Sequence, residues 1–222
     1  METGRRDFLE TLALGTLATG AGGLFEASEA LAQGPAGSHW DLSWTTRLKG
    51  KRRAVFDVPE IEDGYGVWRA IIWRKQYAQV FGVPEASLST VVNIRHNAIA
   101  LCLNQAYWDR YSIAAEWKVK DPATREPTNL NPVCARTGAN ALPAQFGDFT
   151  IESLMETGGI VLGCALAFRD CVDRVAKAEN ISMEDADRRT REMLIPGIIL
   201  QPSGIFAAVL AQENGCRYVQ VS

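Results

Sequence analysis

Cys164 is the residue in this sequence best placed to do chemistry. It follows the apolar run Ile160–Leu162 and Gly163, and a run of helix-forming residues begins directly after it. A thiol at a helix N-terminus tends to have a lowered pKa, and open parallel sheets bind ligands at the carboxyl ends of their strands. This position predicts a nucleophilic thiolate at a sheet edge, and the alternative interpretation is a small, buried, inert side chain.

Polar residues end or follow the other apolar runs. Arg95 and His96 come directly after the run 88–94, and Gln201 ends the run 196–201. Because the carboxyl ends of parallel strands meet at one edge, we expect these side chains to lie near the thiol. The candidate site residues are Asp57, Arg95, His96, Cys164, Arg169, Gln201 and Ser203. We expect the cysteine, with Arg95 and His96 favouring its thiolate, to be catalytic and the other four to bind a ligand.

His96 has two interpretations. Its imidazole titrates near physiological pH, so it could be a general base or a metal ligand. Alternatively, it is a strand-end histidine satisfied by hydrogen bonds. Together with Cys164 and Asp57 it could make a mixed metal site, but no local spacing of ligand residues supports one. No metal or other cofactor is therefore predicted.

The other four cysteines are assigned structural roles. The five cysteines contain no CxxC pair, so neither a disulfide framework nor a zinc site is indicated. Cys102 lies on an apolar helix face, Cys171 follows Cys164 by two helical turns, and Cys216 begins the last predicted strand. We expect these three thiols to be buried. Cys134 lies in an irregular segment, and we expect it to be exposed or disulfide-linked.

Short β-type runs alternate with helical patterns along the chain. The predicted strands cover 53–58, 88–94, 160–164, 196–201 and 216–221. The predicted helices cover 65–81, 98–111 and 149–156, two helices between 165 and 194, and one that Ser203 caps and that ends at 213. This alternation predicts a three-layer, flavodoxin-like α/β domain with a five-stranded, mainly parallel sheet. No glycine motif for dinucleotide or phosphate binding follows any strand.

Composition fits one domain that does not bind nucleic acid. The chain has 222 residues, of which 47% are hydrophobic, enough for a sizeable single core. Its formal net charge is −3 and its charges are dispersed, so nothing attracts it to a polyanion.

The N-terminus resembles a twin-arginine export signal. Arg5 and Arg6 precede an uncharged run over 11–25, and a small-x-small pattern ends at Ala32. The resemblance predicts a signal peptide over 1–32, transport by the twin-arginine machinery after folding, and a periplasmic mature protein. A cytosolic amphipathic helix and a retained membrane anchor are the alternatives.

Three further segments follow the predicted signal. Residues 33–50 form an arm expected to pack through Trp40 and Trp44. Residues 51–222 form the α/β domain. Within it, the proline-rich segment of about 115–147 loses all periodicity, which is typical of a lid, an interaction segment or a disordered insertion.

An ordered set of motifs resembles the DsrE/DsrF-like family of sulfur-relay proteins. The motifs are IVLGCALAFR at 160–169, LIPGII at 194–199, PSG at 202–204 and QENGCRYV at 212–219. The similarity runs from Arg53 to the C-terminus, apart from the insertion. It implies a flavodoxin-like fold and a homo-oligomer, a trimer or hexamer. It also implies that Cys164, in a Cys-x-x-Ala-x-Arg setting, carries sulfur as a persulfide.

Two hypotheses of different classes follow. In the first, the exported protein binds or transfers a small sulfur species through Cys164. In the second, it is a non-catalytic oligomeric protein that binds a small ligand or a metal at the same sheet edge, and its cysteines are structural. In a third hypothesis, the protein is a structural interaction module that acts through the arm and the insertion.

Overall fold

Five parallel strands form the centre of the protein. A computed structural model describes residues 40–221, so the predicted signal peptide lies outside the described residues. The strands are β1 (Arg52–Val58), β2 (Leu88–Ile94), β3 (Ile160–Cys164), β4 (Ile199–Gln201) and β5 (Arg217–Gln220), in the order β4-β3-β2-β1-β5. The predicted α/β class and the five-stranded parallel sheet are confirmed.

Seven helices connect or flank the strands in the described part of the chain. They are α1 (Tyr65–Phe81), α2 (Gln105–Arg110), α3 (Ile113–Trp117), α4 (Ile151–Glu156), α5 (Ala165–Glu179), α6 (Met183–Glu192) and α7 (Gly204–Glu213). Among residues 40–221, no helix is both long and apolar enough to cross a membrane.

The two faces of the sheet bury separate core clusters. Side chains alternate along each strand, so Phe56 and Val92 face one side whereas Val55 and Val91 face the other. The larger cluster includes α1, α4 and α5, and the smaller one includes α7 with Trp44 and Leu48 of the arm, of which Trp44 is completely buried. Because both faces are covered, the central strand β2 is buried along its whole length.

The strand order reverses at β1. The chain steps outwards from β1 through β2 and β3 to β4, and α7 then returns it across the opposite face to place β5 beside β1. In open α/β sheets the crevice at such a reversal, outside the carboxyl ends of the strands, is where ligands bind. The carboxyl end of β1 is therefore the expected position of a ligand site.

The predicted helix over 98–111 is broken in two. Residues His96–Cys102 form a 3-10 segment, and α2 begins only after Asn104. The Asn104 side chain accepts a hydrogen bond from the backbone N–H of Tyr107 at 3.2 Å and so caps α2. Asparagine favours this capping position over a helix interior, which explains the break.

The irregular segment of about 115–147 is held by buried polar groups. Asn131 is fully buried and donates to the carbonyl oxygens of Leu101 at 3.2 Å and Leu103 at 2.8 Å. Val133 is also fully buried, and its carbonyl accepts from the N–H of Ile151 at 2.8 Å. These contacts bind the segment to the main core.

The prediction for Cys134 is wrong. Its side chain is buried, it forms no disulfide, and its thiol donates to Glu152 Oε1 at 3.3 Å. Burial, followed by the nearby Glu152 carboxylate, raises the pKa of this thiol to about 12. The segment looked exposed because it lacks periodicity, but the packing of Val133 draws its neighbour inwards.

Candidate functional site

A buried carboxylate, Asp57, stands at the carboxyl end of β1 with 1% of its surface exposed. It accepts hydrogen bonds from Asn93 Nδ2 at 2.9 Å and from the Tyr218 hydroxyl at 2.7 Å. Arg95 adds three more, from Nε to both oxygens at 2.9 and 3.2 Å and from Nη2 at 2.8 Å. We call Asp57, Asn93, Arg95 and Tyr218 the Asp57 network. It satisfies both oxygens of a carboxylate that would be costly to bury alone.

The parallel register explains why these residues meet. Asp57 lies opposite Asn93 on β2 and opposite Gln220 on β5, so the three side chains share a face of the sheet. Tyr218 precedes Gln220 by two residues and therefore points to the same face. Arg95 follows the last residue of β2 and folds back over the carboxylate.

The start of α7 closes over the Asp57 network. The Gly204 carbonyl accepts from Asn93 Nδ2 at 2.9 Å, and a Cβ atom at Gly204 would lie 2.5 Å from Arg95 Cβ. Only glycine permits this close approach. Asn93 Oδ1 is buried at the same place and has no hydrogen-bond partner among residues 40–221.

Burial and the hydrogen bonds to Asp57 determine the protonation states of Arg95 and Tyr218. Hydrogen bonds to Asp57 raise the pKa of the Arg95 guanidinium. Burial, and then the hydrogen bond to Asp57, raise the pKa of the Tyr218 phenol. At neutral pH, Arg95 is therefore a cation and Tyr218 a protonated donor.

Cys164 lies at the same edge of the sheet, at the end of β3. It is 6% exposed and caps the N-terminus of α5, where its sulfur accepts from the backbone N–H of Ala167 at 3.4 Å. In the described part of the chain this is the only hydrogen bond of its side chain. The structure thus has the Cys164 thiol between a strand and a helix, as predicted.

A second buried thiol, Cys102, lies near both Cys164 and a third buried thiol, Cys171. Burial raises the pKa of Cys102 well above its ordinary value, and the neighbouring Cys171 and Cys164 raise it further. Burial also raises the pKa of Cys171 to about 11. Both therefore remain protonated at neutral pH, and their predicted burial is confirmed.

Three of the predicted site residues have other partners, and a fourth, Arg169, has none among residues 40–221. Gln201 donates to the Asp41 carbonyl at 2.9 Å and so holds the arm, and Ser203 caps α7 by accepting from Phe206 N–H at 3.1 Å. The side chain of His96 is 61% exposed and its Nδ1 lies 3.2 Å from Glu60 Oε1. Arg169 is exposed on α5, and within residues 40–221 it has no hydrogen bond or ion pair. The expected effect of Arg95 and His96 on the thiol stays a prediction.

Sequence reasoning missed three members of the site, namely Asn93, Gly204 and Tyr218. Asn93 carried a signal, because an amide inside the otherwise apolar end of a buried strand needs a partner. Within residues 40–221, no group of three or more His, Cys, Asp or Glu side chains is arranged to hold a metal ion. Comparison with protein-family models and with curated proteins finds no match to this chain.

Proposed function

We propose that this is an exported, DsrE-like protein that binds or transfers a small sulfur species through Cys164. The observation that carries the proposal is the backbone N–H of Ala167, which points at the Cys164 sulfur from the first turn of α5. A helix N-terminus stabilises negative charge, and the thiolate is the nucleophilic form of cysteine. The twin-arginine-like N-terminus supports a periplasmic location for this chemistry.

The reaction is a transfer of sulfane sulfur. The Cys164 thiolate attacks the outer sulfur of a donor persulfide, R–S–SH. A new S–S bond forms on Cys164, the S–S bond of the donor breaks, and the donor leaves as its thiolate, R–S⁻. The product is a Cys164 persulfide, and the step needs no external oxidant or reductant.

A second function, non-catalytic binding of a small ligand at the Asp57 network, is favoured by one specific observation. Asn93 Oδ1 is a buried acceptor without a partner among the described residues. A ligand that donates a hydrogen bond would satisfy it, and buried acceptors of this kind are normally paired. In this case Cys164, which is 6% exposed, packs in the core and does not form a persulfide.

Mass spectrometry distinguishes these functions. The full chain is incubated with glutathione persulfide, and we expect Cys164 to gain the mass of one sulfur atom. Cys164→Ser should abolish the adduct completely because no thiolate remains at the start of α5. Cys216→Ser is the matched control, because Cys216 is also 6% exposed and burial raises its pKa to about 11.

A wild-type protein that gains no sulfur, or an adduct that persists in Cys164→Ser, would contradict the sulfur-carrier proposal. A co-purifying small molecule that Asp57→Asn releases would favour the binding function instead.

We also propose that the protein is a homo-oligomer, a trimer or hexamer, that associates through α7. The first eight residues of this helix, 204–211, are all apolar, which is typical of a covered helix. Its outer face exposes Ile205 by 73%, Val209 by 48% and Phe206 by 39%. A second copy would cover this surface.

Val209→Glu is expected to dissociate the oligomer, since it places a charge in the middle of the apolar face. Light scattering coupled to size-exclusion chromatography would measure the mass. Met183→Glu is the control, because Met183 is 51% exposed on α6, away from this surface. A wild-type protein that is monomeric, or an unchanged mass in Val209→Glu, would count against this interface.

A further inference from the structure

A cavity of about 480 Å³ opens at the amino ends of β2 and β3. Glu85 and Ala86 line it just before β2 begins, and Thr157 lines it just before β3 begins. It therefore lies at the opposite edge of the sheet from Cys164 and Asp57. Its volume is in the range of sites for small molecules.

Arg74 is the most buried charged residue of this cavity, with 1% of its surface exposed. Its Nη2 donates to the carbonyl oxygens of Thr157 at 2.6 Å and Glu85 at 3.4 Å. The first contact caps the end of α4 and accounts for one nitrogen of the guanidinium.

The other two guanidinium nitrogens of Arg74 are unsatisfied. Nε and Nη1 are buried and have no hydrogen-bond partner among residues 40–221. The Glu85 carboxylate lies 3.8 Å from Nε, which is too far for a hydrogen bond. Arginine remains charged in proteins, and a buried charge is stable only when it is paired and hydrogen-bonded. The cavity wall thus contains two guanidinium nitrogens that lack a hydrogen-bond acceptor among residues 40–221, although the Glu85 carboxylate lies within ion-pair distance.

The rest of the cavity has the opposite charge. Glu85, Asp148 and Glu156 bring carboxylates to it, and Lys75 is the only other cation among the described residues that line it. Lys75 is already paired with Asp148 at 2.7 Å. Glu156 is exposed and forms no ion pair with any described residue. Negative groups therefore surround a positive interior.

We propose that this cavity binds a zwitterionic aminocarboxylate, such as a free amino acid. The ligand carboxylate accepts hydrogen bonds from Arg74, and its ammonium group lies between Glu85 and Glu156. Ile71 and Leu154 provide apolar contact for the hydrocarbon part. A simple anion would satisfy Arg74 but would be repelled by the surrounding carboxylates, whereas a zwitterion matches both charges. The proposal does not depend on Cys164.

Isothermal titration calorimetry on the full chain tests the proposal. All the proteinogenic amino acids are titrated, and L-leucine is compared with isocaproate, which lacks the amino group, and with isoamylamine, which lacks the carboxyl group. Leucine is expected to bind about tenfold or more tightly than either half, because each half loses a charge-assisted hydrogen bond. Any other amino acid that binds is compared with its own two halves.

Two variants locate the binding. Arg74→Gln is expected to abolish it, and because Arg74 is buried its folding is checked by circular dichroism. Glu156→Gln is at the surface and leaves the fold intact. It should weaken the binding of leucine by about twofold to fivefold without affecting the binding of isocaproate. Glu184→Gln, exposed on α6, is the matched control.

The absence of binding by every amino acid would overturn the proposal. Equal binding of leucine and isoamylamine would also overturn it, as would leucine binding that is unchanged in Glu156→Gln and in a folded Arg74→Gln.

Discussion

Asp57→Ala is expected to lower the free energy of unfolding by about 3 kcal/mol, because it leaves the partly buried Arg95 cation without its carboxylate. Asn93 and Tyr218 lose an acceptor in the same substitution. The Asp57 carboxyl is 1% exposed and Arg95 is its ion-pair partner at 2.8 Å. Urea unfolding followed by tryptophan fluorescence at neutral pH would measure the loss.

Tyr218→Phe provides the matched comparison within the Asp57 network. It removes a single hydrogen bond to a charged acceptor, at 2.7 Å, and should cost about 1.5 kcal/mol. Equal losses for the two variants would mean that Asp57 contributes no more than this one bond, and the network described above would then not be a unit.

Asp57→Asn separates stability from sulfur chemistry. It keeps the size of the side chain and removes its charge, so it should destabilise the protein less than alanine does. If Cys164 works independently of the network, this variant should still gain sulfur from glutathione persulfide. Retained labelling would assign the network to structure or ligand binding, whereas lost labelling would join it to the chemistry of Cys164.

The strands that position the site could be predicted from the sequence. The runs 88–94 and 160–164 match β2 and β3 at both ends. These strands are buried on both faces, so they are rich in apolar and β-branched residues that local patterns reveal. The last predicted strand was longer than β5, whose four residues lie at an edge and are largely exposed.

The partners within the site could not be predicted in the same way. Asp57 and Tyr218 are far apart in sequence, and they meet only because β5 crosses back to lie beside β1. The close contact between Gly204 and Arg95 depends on how α7 enters the sheet face. Arg74 carried no signal at all, because its burial results from packing against Thr157 at the end of a different helix.

The contacts inside the irregular segment of about 115–147 could not be predicted from the sequence either. One of them has a second large expected effect, on stability. Asp121 and Arg136 form an ion pair inside it, with side chains 12% and 6% exposed. Asp121 Oδ1 also accepts from the backbone N–H of Ala123 at 2.8 Å and Thr124 at 3.0 Å. Prolines and polar residues here indicate a loop, but only the three-dimensional structure shows that one carboxylate organises it.

Asp121→Ala is expected to destabilise this segment by about 3 kcal/mol, because it leaves Arg136 buried without its partner. Hydrogen–deuterium exchange measured by mass spectrometry should show faster exchange over 121–136. Amides of β2 should keep their protection, because the segment opens locally. Glu126→Gln is the control, since Glu126 is exposed in the same segment. Equal acceleration in β2 would contradict a local role for this pair.

The same carboxylate makes the segment sensitive to acid. Burial alone would raise the pKa of Asp121, but hydrogen bonds from Arg136 and from the N–H groups of Thr124 and Ala123 hold it below its ordinary value. A depressed carboxyl pKa contributes stability that is complete above the unfolded value, about 3.9, and is lost as pH falls through the folded value. Exchange over 121–136, corrected for its intrinsic pH dependence, should therefore accelerate below about pH 4 in the wild type. In Asp121→Ala this acid step should be absent, and its persistence would assign the effect to another carboxylate.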